Sequence, residues 1–103
     1  MAPVKVLALS ELPPPGKGVL VTLNKRDVAV FRRGGEILAI GNDCPHQGGS
    51  LCEGWVEGDI VICPLHGWEF DARTGVCMTV PGESVPRYVA TVRDGSIYLE
   101  EAE

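Results

Sequence analysis

Histidine is nearly missing from this sequence. There are only two, His46 and His66, and each lies within three residues of a cysteine. Long apolar runs are missing altogether. No stretch approaches the roughly 18 consecutive apolar residues of a membrane helix. The first twenty residues hold no apolar core of the kind a signal peptide carries, and neither end carries a lipid-attachment pattern. These absences predict a protein that is neither anchored nor exported, with the cytoplasm as its compartment. The sequence also lacks an internal repeat, a low-complexity tract and a dividing linker. Its 103 residues suffice for one small domain and not for two.

What is abundant is punctuation. Thirteen glycines and eight prolines leave little room for long helices and predict an all-β fold of short strands joined by turns. Segment length, Val/Ile content and turn boundaries predict strands over 4–9, 19–23, 28–33, 36–40, 87–93 and 96–100. Pro13, Pro14, Pro15 and Gly16 force a loop after the first strand. A polar turn over 24–27 separates the second and third. Gly34-Gly35 predicts a tight turn and so a hairpin, and Asp94-Gly95 gives the strongest hairpin signal, because a two-residue primed turn wants positive φ at both positions. The stretch between these outer parts reads differently. Short apolar pieces at 60–62, 68–70 and 76–80 are separated by loops rich in Gly, Pro, Cys and His. Such a piece buries little apolar surface by itself, and a metal staple explains how it keeps its shape.

The net charge of −5 is unevenly spread. From Asp43 to Glu83 there are seven acids and one base, Arg73, while the remainder is nearly balanced. An acidic pole disfavours nucleic acid, whose phosphates need Lys and Arg. It suits a basic docking patch on a protein partner, and equally a solvated surface that keeps a small domain soluble.

The chemistry is carried by Cys44-Pro45-His46 and Cys63-Pro64-Leu65-His66, a C-x-H and a C-x-x-H sixteen residues apart. Ligands this close in sequence sit on loops that curl around one metal. Gly48, Gly49 and Gly67 let the backbone pass close to a metal or sulfide, and Pro45 and Pro64 stiffen both loops. Two inorganic assignments compete. A single zinc ion accepts two cysteines and two histidines tetrahedrally and is then structural. A [2Fe–2S] cluster accepts the same four with both cysteines on one iron and both histidines on the other. Ligand type alone does not choose between them.

The two loops, CPHQGGSLCEG and CPLHGWEFDARTG, resemble the paired cluster loops of the Rieske family, and Pro81-Gly82 is similar to its third loop, which shields the cluster. The resemblance implies a Rieske-like antiparallel β-sandwich base, 1–41 and 84–103, with a small inserted cluster-binding subdomain at about 42–83. It implies one [2Fe–2S] cluster per chain, with Cys44 and Cys63 on one iron and His46 and His66 on the other. The respiratory-complex members carry a disulfide across the two loops, and the matching positions here are Gly49 and Leu65. They also carry a Ser and a Tyr hydroxyl that hydrogen-bond the cluster and its cysteine ligand; the matching positions are Trp68 and Phe70. Hydrogen bonds to sulfur favour the more negative, reduced cluster, so the resemblance implies a low-potential member. It looks like a Rieske ferredoxin that passes one electron from a reductase to a terminal oxidoreductase such as a ring-hydroxylating oxygenase. The alternatives are the small subunit of an NAD(P)H-dependent nitrite reductase and a zinc-stapled interaction domain. An oxygenase site of its own is excluded, because both histidines are used and none remains for a mononuclear iron. The free protein is expected to be a monomer that binds protein redox partners but neither nucleic acid nor membrane.

Other residues have plainer readings. Cys52 and Cys77 read as small buried hydrophobes, not as a disulfide. Trp68 and Phe70 alternate with Glu69 and pack on one face. Trp55 reads as packing. Lys25-Arg26 and Arg32-Arg33 read as turn and strand-edge charges that protect exposed edges.

Overall fold

The computed structural model describes residues 3–45, 49–65 and 67–102. Nine strands are present among them: β1 Val4–Ala8, β2 Gly18–Leu23, β3 Arg26–Arg33, β4 Glu36–Gly41, β5 Trp55–Glu57, β6 Ile60–Ile62, β7 Glu69–Asp71, β8 Arg87–Arg93 and β9 Ser96–Glu101. The helical elements among the described residues are two single 3₁₀ turns, Leu9–Glu11 and Leu51–Glu53. The strands form a six-stranded antiparallel sheet in the order β1-β9-β8-β4-β3-β2 and a three-stranded one in the order β5-β6-β7.

Three hairpins build the large sheet, and each turns on two residues: Leu23 pairs with Arg26, Arg33 with Glu36, and Arg93 with Ser96. Asp94 and Gly95 both have positive φ, 50° and 76°, as the primed turn requires. The turn after β2 is shorter than the sequence suggests. Asn24 and Lys25 take φ of 51° and 68°, so the chain reverses at once and Arg26 and Asp27 already belong to β3. Asn tolerates this left-handed region well; Lys is a less usual choice.

The edge strands β1 and β2 approach each other, so the large sheet curls and its halves enclose a core. Leu12, Val21, Leu23, Val28, Val30, Ala39, Tyr88, Ile97 and Leu99 fill it. A second core lies on the outer face of β3 and β4. There Ala29, Phe31, Leu38 and Ile40 meet Leu51, Val61, Phe70, Ala72, Val85 and three cysteines. Alternate side chains of β3 thus serve different cores: Val28 and Val30 point into one, Ala29 and Phe31 into the other. This is why β3 and β4 read as continuous apolar runs and not as an alternating pattern. Phe31 is 1% exposed, and truncating such a residue typically costs about 3–5 kcal/mol.

The small sheet differs from expectation at two points. Residues 76–80 form no strand; only isolated bridges, Phe70 with Cys77 and Val76 with Ser84, hold that segment. Residues 55–57, read as loop, form β5. Trp55 is 48% exposed on it, so it is a surface residue and not core packing. Gly54, just before β5, lies so close to the Ile62 carbonyl that a Cβ there would collide with it. The absence of a side chain brings the chain leaving the first cysteine loop directly onto β6, which leads into the second.

An ionic clasp joins the small sheet to the β3–β4 hairpin. Arg73 makes a two-pronged contact to Glu36, at 2.6 and 2.9 Å, and a third bond to Asp59 at 3.0 Å. Arg33 bonds the other oxygen of Asp59 at 2.8 Å. Arg33 is therefore more than an edge charge. These bonds and charges hold the Glu36 and Asp59 carboxyls below the ordinary carboxylate range, the Arg73 hydrogen bond being the largest cause for each. The same pairing holds the Arg73 guanidinium above its usual range.

Candidate metal centre

Two loops converge at the second core. The first leaves β4 through Asn42 and Asp43 and returns at Ser50. Its base is a short ladder: Asp43 and Ser50 form a bridge, and the Cys44 N–H donates to the Gly49 carbonyl at 2.8 Å. The second loop joins β6 to β7. It closes when the Cys63 N–H donates to the Trp68 carbonyl at 2.8 Å and the Gly67 N–H donates to the Cys63 carbonyl at 3.1 Å. Cys44 and Cys63 thus occupy equivalent places, each at the start of a tight loop tied back to its own cysteine.

Both cysteines are almost fully buried, 2% and 1% exposed, in the same core. Neither forms a disulfide. Gly49 shows how closely the loops pack. A Cβ on it would stand 2.7 Å from the Cys63 Sγ and 3.2 Å from Leu65 Cγ and Cδ1. The backbone of one loop therefore lies directly against the thiol of the other. Two buried, unbridged thiols on adjoining loops are a donor set suited to soft metals and iron–sulfur clusters, so the residues present fit such a group. His46 and His66, the other two sequence candidates, lie outside the described residues, as do Gln47 and Gly48.

The remaining sequence candidates separate cleanly. Phe70 is fully buried and Trp68 packs against the same core, while Glu69 is exposed; the expected two-faced pattern holds, although β7 begins one residue later. Cys77 is buried, and its Sγ accepts the Val80 N–H at 3.4 Å. Cys52 is half-buried at the core's margin, with its Sγ 3.3 Å from the Ser50 hydroxyl. No Cys52–Cys77 disulfide exists. Pro81 and Gly82 form an exposed turn closed by the Glu83 N–H on the Val80 carbonyl at 3.4 Å, with Gly82 at φ 90°. That is the geometry of a Pro-Gly type II turn. Asp43, Glu53, Glu57, Glu69 and Glu83 are exposed, whereas Asp59 is neutralised in the clasp. The acidic pole is real but smaller than its count of acids.

Sequence reasoning overlooked Asn42. It is the buried polar residue among the described residues, 3% exposed, and stands two positions before Cys44. The signal available was a lone amide at the end of an apolar strand.

A compact all-β base that presents two buried thiol loops has the frame of a small metal-binding protein. The model of the Rieske [2Fe-2S] domain matches residues 2–93, and the chain belongs to that family. Its cofactor is the Rieske [2Fe–2S] cluster, and it is an electron carrier of the ferredoxin type. It is 35% identical over 79 residues to the 3-phenylpropionate/cinnamic acid dioxygenase ferredoxin subunit of Photorhabdus laumondii subsp. laumondii, covering 75% of each chain. It is 39% identical over 82 residues to cholesterol 7-desaturase nvd of Xenopus laevis, where it spans only 18% of the relative's length. Among solved structures, the ferredoxin of carbazole 1,9a-dioxygenase from Nocardioides aromaticivorans IC177 superposes with a TM-score of 0.88 at 30% identity, over 99% of this chain and 100% of that one. A complex of reduced oxygenase and oxidized ferredoxin in carbazole 1,9a-dioxygenase matches with a TM-score of 0.84 at 31% identity, covering 97% of this chain and 95% of that one. Among the described residues no helix is long and apolar enough to cross a membrane.

Proposed function

We propose that Cys44 and Cys63 hold one iron of the cluster and His46 and His66 the other, and that the protein delivers single electrons from a reductase to the terminal oxygenase of a ring-hydroxylating system. The observation that carries this reading is the packing of Gly49 on the Cys63 thiol, which joins the C-x-H loop to the C-x-x-H loop. When bound, the cluster supplies a one-electron carrier. The chain's own part is to exclude water from the two thiols, through the burial of Cys44, Cys63 and Phe70, and to present the loops at one end of the fold. Residues 42–83 act as the cluster-binding subdomain and 1–41 with 84–103 as its base; the three-stranded sheet falls wholly within the former. The ferredoxin subunit named for a dioxygenase and the oxygenase–ferredoxin complex support an oxygenase as recipient, and the exposed acids around the loops support a basic docking face on it. The chain works in the cytoplasm as a monomer between encounters.

The test is direct. Purified protein should be red-brown, contain two irons and two acid-labile sulfides per chain, and give a Rieske-type electron paramagnetic resonance (EPR) spectrum when reduced. A colourless protein with stoichiometric zinc rejects the reading. Size-exclusion of the native protein separates a diffusing carrier from a fixed subunit, since a tight, salt-resistant complex contradicts the carrier.

A further inference from the structure

We propose that Asn42 is the positioning residue of the first cluster loop, its buried amide fixing the neck of that loop and hence the seating of Cys44 against the second loop. This rests on the reading that Cys44 is a cluster ligand.

Each polar group of Asn42 is engaged. Its N–H donates to the Asp27 carbonyl at 3.0 Å, and its carbonyl accepts the Leu51 N–H at 2.8 Å. Its Oδ1 accepts the Cys52 N–H at 2.8 Å, and its Nδ2 donates to the Ser50 hydroxyl at 2.9 Å. Three of the four partners, Ser50, Leu51 and Cys52, lie immediately beyond the loop. The fourth, Asp27, belongs to β3. The side-chain amide therefore holds the outgoing chain against the incoming one, while the main-chain N–H ties the neck to the large sheet. Asp43–Ser50 and Cys44–Gly49 continue the same ladder inward to the ligand. Past the neck, Leu51 is fully buried in the core that holds Cys44 and Cys63.

The residue type suits the task. The neck needs an acceptor for a main-chain N–H and a donor for a hydroxyl, from one short side chain. Asparagine offers both, and leucine of similar size offers neither. Burying an amide is unfavourable unless its bonds are made, and here they are. A purely structural staple would share this geometry, so the decisive readouts are those of the cluster.

Three variants of the whole protein make the test, with Arg73→Ala as a control that weakens the fold away from the loops. Asn42→Leu removes both side-chain bonds. Asn42→Asp keeps the acceptor for Cys52 and lets the Ser50 hydroxyl turn to donate. Ser50→Ala removes only the partner of Nδ2. Iron release to a chelator and the EPR line shape of the reduced protein are measured. Asn42→Leu should release iron about tenfold faster or more, in the range found for residues that orient metal ligands, with a broadened spectrum. Asn42→Asp should restore most of both, and Ser50→Ala should fall between. Arg73→Ala should lower thermal stability with an unchanged line shape. Asn42→Leu with the parent's release rate and spectrum overturns the proposal, as does equal broadening in Arg73→Ala. If Asn42→Leu does not fold, Ser50→Ala decides, and an unchanged release rate overturns it. A parent protein with no Rieske spectrum overturns the cluster reading and this proposal together; a parent spectrum indifferent to residue 42 overturns this proposal alone.

Discussion

At the scale of single residues, the site is set by what its neighbours lack. Trp68 and Phe70 stand beside the second loop, packed into the core, and neither offers a hydroxyl to a sulfur. Fewer hydrogen bonds to sulfur leave the reduced, more negative cluster less stabilised. The midpoint potential should therefore lie in the lower part of the Rieske range of roughly −150 to +300 mV, as protein-film voltammetry will measure. A midpoint well above zero contradicts this. His46→Cys or His66→Cys should retain some iron at a lower potential, because thiolate donates more electron density and adds negative charge. An unchanged potential would show that the substituted histidine is not a ligand. The four ligand candidates were legible in the sequence because metal loops keep their ligands adjacent along the chain. Asn42 was not, because its partners at 50–52 become neighbours only when the loop closes.

At the scale of elements, the hairpins and the small sheet behave differently. Asp94-Gly95 and Gly34-Gly35 announce their turns, since local backbone preference decides a two-residue reversal. The small sheet is made of three-residue strands, too short for periodicity to signal. β5 forms because it pairs with β6, and 76–80 fails to form a strand because its neighbours supply only single bridges. The clasp from Arg73 to Glu36 and Asp59 adds a pH dependence. The carboxyl pKa values are lowered in the folded protein, so the clasp's contribution is fully present above the unfolded carboxylate range of about 4. It is lost as the pH falls through the lower folded values. The difference in melting temperature between the parent and Arg73→Ala should thus be constant from neutral pH down to about 5 and vanish in stronger acid. Because the groups are exposed, the difference should be small and should shrink with added salt. A difference that grows in acid would contradict the assignment.

At the scale of the whole molecule, the two cores share one wall, β3 and β4. Phe31 faces the core of the cluster loops while Val30, its neighbour in sequence, faces the other. The base and the loops therefore cannot loosen independently of that wall. The exposed acids Asp43, Glu69 and Glu83 belong to the loop-bearing segment, and Arg73, its one base, is spent on Glu36 and Asp59. Association with the oxygenase proposed as its recipient should accordingly slow as ionic strength rises. Glu69→Gln with Glu83→Gln should reduce the association rate more than they raise the dissociation rate, as stopped-flow electron transfer will show. An association rate indifferent to salt would rule out acidic docking.

The candidate ligands, the all-β class and the tight hairpins were legible in the sequence alone. Each depends on residues within a few positions of one another: two candidates per loop, or two residues per turn. Tertiary structure decided which strands face two cores, where Trp55 ends up, which acids remain unpaired and what closes the first loop. Those depend on contacts between segments far apart in the chain, such as Arg73 with Glu36. The sparse histidines mark the candidate site by their spacing to the cysteines. Its packing is set by groups that carry no metal-ligand signature: the missing Cβ of Gly49 and the buried amide of Asn42.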